Sequence, residues 1–411
     1  MKHVLPTLAV AGLVLLAGGA ASYAQPAEAQ VRAALEDAPA IAAARADRDA
    51  ALARAEQTGL GTYETSLDAG MARRRVDASG DSMEWELGVS RRFRWPEKRR
   101  LDAELSRTEI ALAEAGYAAA WQAEALAWAG LWVRWNRARA LEDVMAGRVE
   151  DARARRDGER ARLEQARGRA VDVDRLDRDL ALAESAFETA RQDSELARLA
   201  LEARFPGMAR PDMAAGLVPE TCGVDRDAED TLAAALHASP SLRAARLELA
   251  RSQLQRRRAE YDRRTDPQLG LQVFSERDGR ETGVGVSVSV PIAGGLRAAR
   301  VDEAAARQSG SIASLSAIEA EVRRAALELE ARNIRTERRL SQTRDAVDTA
   351  EQVLARLQRG RDLQAVTVLD ILEARTALWS AREAEIAAEA DRLETRLQLG
   401  IRLECVLVPD G

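Results

Sequence analysis

Leu269-Gly270-Leu271-Gln272-Val273-Phe274, the polar turn Glu276-Arg277-Asp278-Gly279-Arg280, and Val284-Gly285-Val286-Ser287-Val288-Ser289-Val290 decide how this chain is read. Leu269, Leu271 and Val273 alternate with Gly270, Gln272 and Phe274. On the return, Val284, Val286, Val288 and Val290 share one face, and Gly285, Ser287 and Ser289 share the other. A strand turns successive side chains to opposite faces, so this period of two predicts a hairpin with an apolar side and a small polar side. That is the pattern of a strand with lipid on one face and water on the other.

A second hairpin upstream repeats it. Tyr63, Thr65, Leu67, Ala69 and Met71, then Trp85, Leu87 and Val89, face one way; Glu64, Asp68, Glu84 and Glu86 face the other. Strands are expected at about residues 62–74, 83–95, 267–277 and 282–291. Tyr63, Trp85, Phe93 and Trp95 suit interfacial aromatic belts. No remaining segment supplies a helix that would cover four such strands. Nor do four strands close a barrel, whose smallest bacterial form has about eight, so closure calls for several copies in a ring.

Two proline-free runs, Glu97 to Phe205 and Ile292 to Val408, flank these hairpins. Rich in Ala, Leu, Glu and Arg, they predict long helices at about 97–167 and 295–359. The first would be a rod of roughly 100 Å. Trp95-Pro96 sets its start, since proline is tolerated at a helix beginning and not inside one. The chain reads as a duplication. Ala34-Leu35, Pro39, Ile41 and Ala43-Ala44-Arg45 recur as Ala235-Leu236, Pro240, Leu242 and Ala244-Ala245-Arg246. Gly88-Val89-Ser90 recurs as Gly285-Val286-Ser287, and Gly168 with Val171 and Val173 recurs as Gly360 with Val366 and Val368. Each half, residues 25–224 and 225–411, then runs helix, β-hairpin, long helix, turn, helix. A single helix of roughly thirty residues is expected to open each half, at Gln30 to Gln57 and Ala228 to Arg264.

Residues 1–24 read as a secretory signal: Lys2 and His3, an apolar core from Leu8 to Ala17, and Ser22-Tyr23-Ala24 before the cut. That core is shorter than the roughly 20 residues of a spanning helix. No cysteine immediately follows the cut, where Gln25 stands, so no lipid anchor is expected. Net charge is −6 with both signs interspersed, and no basic patch argues for nucleic acid. With His237 the one histidine left after cleavage, no ordinary His/Cys metal site is expected. There is no phosphate loop and no nucleophile–base pair, so no enzyme and no cofactor. Cys222 and Cys405 either pair, as an exported protein permits, or stay as two reduced thiols.

The duplicated pattern resembles the outer membrane factor (TolC-like) family of tripartite efflux systems over essentially the whole mature chain. Arg359-Gly360-Arg361 through Val366-Thr367-Val368-Leu369-Asp370, with Ala374 and Leu378, is similar to that family's tip motif. Asp266-Pro267-Gln268-Leu269-Gly270-Leu271, Ser289-Val290-Pro291 and Lys98-Arg99-Arg100 resemble its heavy-metal cation (CzcC-like) branch.

The resemblance implies a homotrimer: a 12-stranded barrel in the outer membrane on a long α-helical periplasmic tunnel, girdled by an equatorial region around Pro206 to Val224 and the two termini. It implies a passive exit duct, partnered by a periplasmic adaptor and an inner-membrane pump, with metal cations as cargo on the branch likeness. Drug efflux or type I protein secretion is the alternative within the family, and a soluble periplasmic coiled-coil scaffold the alternative outside it. Arg167, Gly168, Val171, Val173, Arg359, Gly360, Val366 and Val368 become adaptor-docking tips, against plain hairpin turns. Asp370, with Asp172 and Asp174, becomes the periplasmic aperture, against an acid that merely favours a helix start. Glu64, Asp68, Glu84 and Glu86 become lumen carboxylates. Trp121, Trp128, Trp132 and Trp135 form one helical stripe, read as a packing seat for the equatorial region.

Overall fold

The structure is a computed structural model that describes residues 24–60, 63–76, 80–210, 228–292, 294–362 and 366–409. The signal segment up to residue 23, Cys222 and most of the expected equatorial segment lie outside these residues. The order is α1 (Ala24–Glu36), α2 (Pro39–Leu60), β1 (Thr65–Val76), β2 (Gly80–Arg92), α3 (Pro96–Glu164), α4 (Ala170–Arg204), α5 (Ala228–Ala238), α6 (Pro240–Tyr261), β3 (Gln268–Glu276), β4 (Glu281–Ser289), α7 (Gly295–Asp362) and α8 (Val368–Arg402).

Two helices, not one, open each half. Pro39 and Pro240 stand first in α2 and α6, where the missing N–H costs nothing, and proline ends whatever helix precedes it. Ser239 caps α6 by accepting from the Leu242 N–H at 3.2 Å. The long helices also end differently from expectation. α3 stops at Glu164, where Ala166 turns left-handed (φ 56°). α7 runs through Gly360 to Asp362, so Gly360 is helical and does not break it.

The described residues fall into two compact units. The sheet unit holds α2, α5, α6, both hairpins, and the parts of α3 and α7 up to Ala127 and Arg335. The helical unit holds α1, α4, α8 and the rest of α3 and α7.

In the sheet unit the strands form one antiparallel sheet in the order β1-β2-β3-β4. Register aligns Leu67, Val89, Leu271 and Val286 in one row, and Ala69, Leu87, Val273 and Val284 in the next. In these two rows Leu and Val meet only Leu, Val or Ala, and the face they build is bare: Leu67 is 78% exposed and Val286 77%. The other face carries Asp68, Glu84, Glu86, Gln272 and Ser287. There Gln268 donates to Ser90 Oγ at 3.2 Å and Ser90 to Asp68 at 3.1 Å, a ladder across three strands.

A buried ionic clamp ties the sheet's base to its helices. Lys98, 1% exposed, lies 3.0 Å from both Asp262 and Asp266 and donates to the Arg264 carbonyl at 2.5 Å. Arg94 donates to Asp102 at 3.0 Å and reaches Asp266 at 3.4 Å; Arg258 adds a contact to Asp102 at 3.0 Å. Tyr63 donates to Asp266 at 2.9 Å. Burial opposes ionisation of Asp266, but the Lys98 and Tyr63 hydrogen bonds and the Lys98 and Arg94 charges outweigh it and hold its carboxyl below the usual range.

In the helical unit, α7 and α8 pack through Val347, Leu354, Ile371 and Leu378, each pair seven residues apart as in a coiled coil. α3 and α4 meet over the smaller Ala152, Leu180 and Ala183. Trp128 and Trp132 stack with centroids 6.1 Å apart, both fully buried, and Trp132 Nε1 donates to the Arg210 carbonyl at 2.9 Å. The C-terminal segment folds back on α1: Arg32 donates to the Val408 carbonyl at 2.5 Å and the Leu407 N–H to Glu28 at 3.3 Å.

Because Asp266 titrates below its unfolded value of about 3.9, its contribution is fully present above about pH 4 and lost as pH falls through the folded pKa. Thermal melts of the Asp266→Asn variant should show lower stability at pH 7 and a shallower loss as pH falls below about 4 than the parent.

Candidate functional site: sheet faces and helix-hairpin tips

Two regions carry the chemistry that the pattern singles out. In the sheet unit, Asp68, Glu84 and Glu86 share the polar face, opposite Gly88, Ala72 and Gly70 in register, and Glu64 precedes the first strand residue. Arg74 pairs with Glu84 at 3.2 Å, so that carboxylate is already partly neutralised. The aromatic residues Phe93 and Trp95, half exposed, sit between β2 and α3, and Trp95 Nε1 donates to the Thr265 carbonyl at 2.9 Å.

The second region is the turn end of each helical hairpin in the helical unit. Between α3 and α4, Gly168 lies against the preceding turn: an added Cβ would stand 2.7 Å from the Leu163 nitrogen. No side chain fits there, so glycine is required by close approach rather than by a break in the helix. Arg167 is exposed and Val171 is 41% exposed, whereas Val173 is 7% exposed and packed inward. Between α7 and α8, Val366 packs against the Val347–Leu354–Ile371–Leu378 cluster. The repeated Val-x-Val is thus partly a core signal. The second tip leaves Arg359 outside, and also Leu369, which is 45% exposed and belongs to the tip motif but not to the expected docking residues. This turn is longer than the first by three residues around Asp362-Leu363-Gln364, of which Asp362 ends α7 and Leu363 and Gln364 lie outside the described residues.

The three acids differ. Asp172 is 7% exposed and bonded by Arg175 at 3.2 Å. Asp174 is exposed. Asp370 closes a capping box: Thr367 donates its N–H to the Asp370 carboxylate at 2.8 Å and its hydroxyl at 2.6 Å, and accepts from the Asp370 N–H at 3.2 Å. The Thr367 hydroxyl and backbone hydrogen bonds hold the Asp370 carboxyl below the usual range.

Behind the tips lies a cavity of about 250 Å³ lined by Arg155, Glu159, Arg162, Ile371 and Arg375 among others. Arg155 pairs with Asp151 at 2.9 Å and Asp179 at 3.1 Å, and Arg375 of α8 reaches across to Asp151 of α3. Burial pushes the Arg375 pKa down; burial also lowers Arg155, against the opposing pull of Asp179. Little in the sequence marks this cluster. Its one local sign is an arginine four residues after Ile371 and three before Leu378, on the packed side of α8. Cys405 is disulfide-bonded, while Cys222 lies outside the described residues.

No protein-family model matches the chain, and no curated protein matches it in sequence. Solved structures do match it in fold. The outer membrane protein VceC from Vibrio cholerae aligns with TM-score 0.75 at 19% identity, over 92% of this chain and 96% of its own. The outer-membrane channel OprN gives 0.75 at 17% identity over 99% of each chain. The CmeC outer membrane channel of Campylobacter jejuni gives 0.74 at 12% identity over 100% of this chain and 95% of its own. This chain has the TolC-like outer membrane channel fold.

Within that channel fold the α8 cap is open to a direct test. Thr367→Ala should destabilise the first turn of α8 by about 1 kcal/mol, so amides from Asp370 to Glu373 should exchange about fivefold faster while the middle of α8 is unchanged.

Proposed function

We propose that the chain is the outer-membrane exit duct of a tripartite efflux complex, conducting passively from a periplasmic adaptor and inner-membrane pump to the outside. The observation that carries this reading is the sheet: one exposed face of Leu and Val, one polar face, and two edge strands, β1 and β4, with no partner among the described residues. An exposed apolar surface of this extent marks an interaction site, and a soluble scaffold has no use for it. Three copies in a ring would join β1 of one to β4 of the next and close twelve strands, leaving no edge.

On this reading Glu64, Asp68, Glu84 and Glu86 border the lumen and favour cations, metal cations among them. Two residues behind the heavy-metal likeness, Lys98 and Asp266, are halves of the buried clamp, so that part of the motif serves architecture and leaves the choice of cargo to the pump. The tips dock the adaptor through Arg167, Val171, Arg359 and Leu369, with Gly168, Gly360, Val173, Val366 and Val368 shaping the turns that present them. Asp174 and Asp370, in triplicate, ring the periplasmic aperture; Asp172 is spent on its own helix start. Cys222 and Cys405 pair to bind the second half's end to the equatorial segment.

Purified from outer membranes in detergent, the protein should run as a stable trimer and give small single-channel currents in a planar bilayer, enlarged by Asp370→Ala. Partition into the salt-washed soluble fraction without currents would overturn the reading. The two faces should also differ. Val286→Arg should cost about 2–4 kcal/mol at the bilayer midplane and impair insertion, whereas Ser287→Arg, one residue on, should insert normally and reduce conductance.

A further inference from the structure

Beyond its last apolar row the sheet carries an arrangement that insertion alone does not use. β1 runs into Arg73-Arg74-Arg75. Arg73 and Arg75 continue the series Leu67, Ala69, Met71, so both stand on the apolar side, just past the row of Met71 and Trp85. Arg74 turns to the polar face, where Glu84 lies at 3.2 Å and Glu276 at 3.8 Å. On the apolar side the two arginines share a single carboxylate. Arg73 lies 2.7 Å from one Asp81 oxygen and Arg75 3.0 Å from the other. Asp81 thereby acts as a bracket that sets two guanidinium groups next to each other, with their side chains 69% and 80% exposed.

Neutralising Asp81 would take one arginine. Two leave this cluster with an excess positive charge, and each guanidinium has five N–H donors of which Asp81 uses few. Paired guanidinium forks match the oxygens of a phosphate, which lysine or a single arginine matches less well. The setting narrows the source of that phosphate. A lipid whose acyl chains lie along Leu67 and Met71 brings its headgroup to this rim, since Arg73 is two residues, about 7 Å, beyond Met71. The rim is at the hairpin-turn end, away from the helices, and so faces the outer leaflet if the duct reading holds.

We propose that Arg73 and Arg75 form a headgroup site for a phosphorylated glycolipid of the outer leaflet, with its acyl chains on the Leu67–Met71 face. The site rests on the outer-membrane reading above, and the test separates the two. Full-length protein in detergent is titrated with diphosphoryl lipid A and with its dephosphorylated counterpart, and bound lipid is counted by native mass spectrometry. The parent should bind the phosphorylated lipid at least about tenfold more tightly, the equivalent of losing one charge-assisted hydrogen bond. The Arg73→Gln/Arg75→Gln variant should lose that preference. Equal affinities in parent and variant would overturn the site, as would competition by inorganic phosphate at the same concentration, which marks a free-anion site. In parallel, quenching of Trp85 by brominated acyl chains, read against Trp85→Phe, reports membrane contact. Trp85-dependent quenching in both the parent and the Arg73→Gln/Arg75→Gln variant keeps the membrane reading while the lipid titration decides the site; no such quenching in either sinks both.

Discussion

Register in the four-stranded sheet is the constraint on which the rest depends. Side chains alternate with a period of two, so a slip of one residue would send every Leu and Val to the polar side. The structure pins that register at both ends. At the turns, the Asp278 carboxylate accepts from the Met83 N–H at 2.8 Å, stitching the β3–β4 turn to β2. At the base, the Phe93 N–H donates to the Pro267 carbonyl at 2.8 Å, and the Lys98–Asp266 and Arg94–Asp102 contacts fix the same chain segments from the helix side. Between the two ends, the rows of Leu67 and Ala69 present an apolar face, backed by a polar one.

A different period governs the helical unit. Sevens, not twos, place Val347, Leu354, Ile371 and Leu378 on one seam, and interhelical ion pairs flank it: Arg382 with Glu351 at 2.9 Å, Arg344 with Glu389 at 2.8 Å. Such half-exposed pairs add little stability each, but they set which faces of the helices can meet. The α3–α4 hairpin uses alanine where α7–α8 uses Leu and Ile, with Arg153 and Arg155 reaching Glu184 and Asp179. The two tips are therefore built on seams of unlike side chains and need not present the same surface.

Local patterns were legible in the chain and distant meetings were not. Alternation over a few residues announces the strands, and proline-free Ala/Leu/Glu/Arg runs announce α3 and α7. Even local signals have limits. Pro39 and Pro240 were visible as repeat markers, yet reading them as interior to one helix ignored the donor they lack. Gly360 resembles Gly168 in sequence, but only Gly168 sits against the backbone of the preceding turn. Val173 and Val366 looked like docking residues because a repeated Val-x-Val has no role in an isolated turn; packing against the neighbouring helix gives it one. The clamp escaped altogether. Lys98, Arg94, Asp102 and Asp266 are ordinary charged residues in a chain full of them, and only tertiary folding shows which ones leave water.

The clamp has a consequence in time. Its halves are far apart in the chain: Arg94 and Asp266 are separated by 172 positions. An exported chain crosses the membrane unfolded and in order, so the second half becomes available only after the first. Throughout that interval β1 and β2 have neither their β3 neighbour nor their ionic seat, and their Leu, Met and Trp side chains have no proper place. The first hairpin is thus held in place only once residue 266 has arrived beside it, not once the hairpin itself is complete.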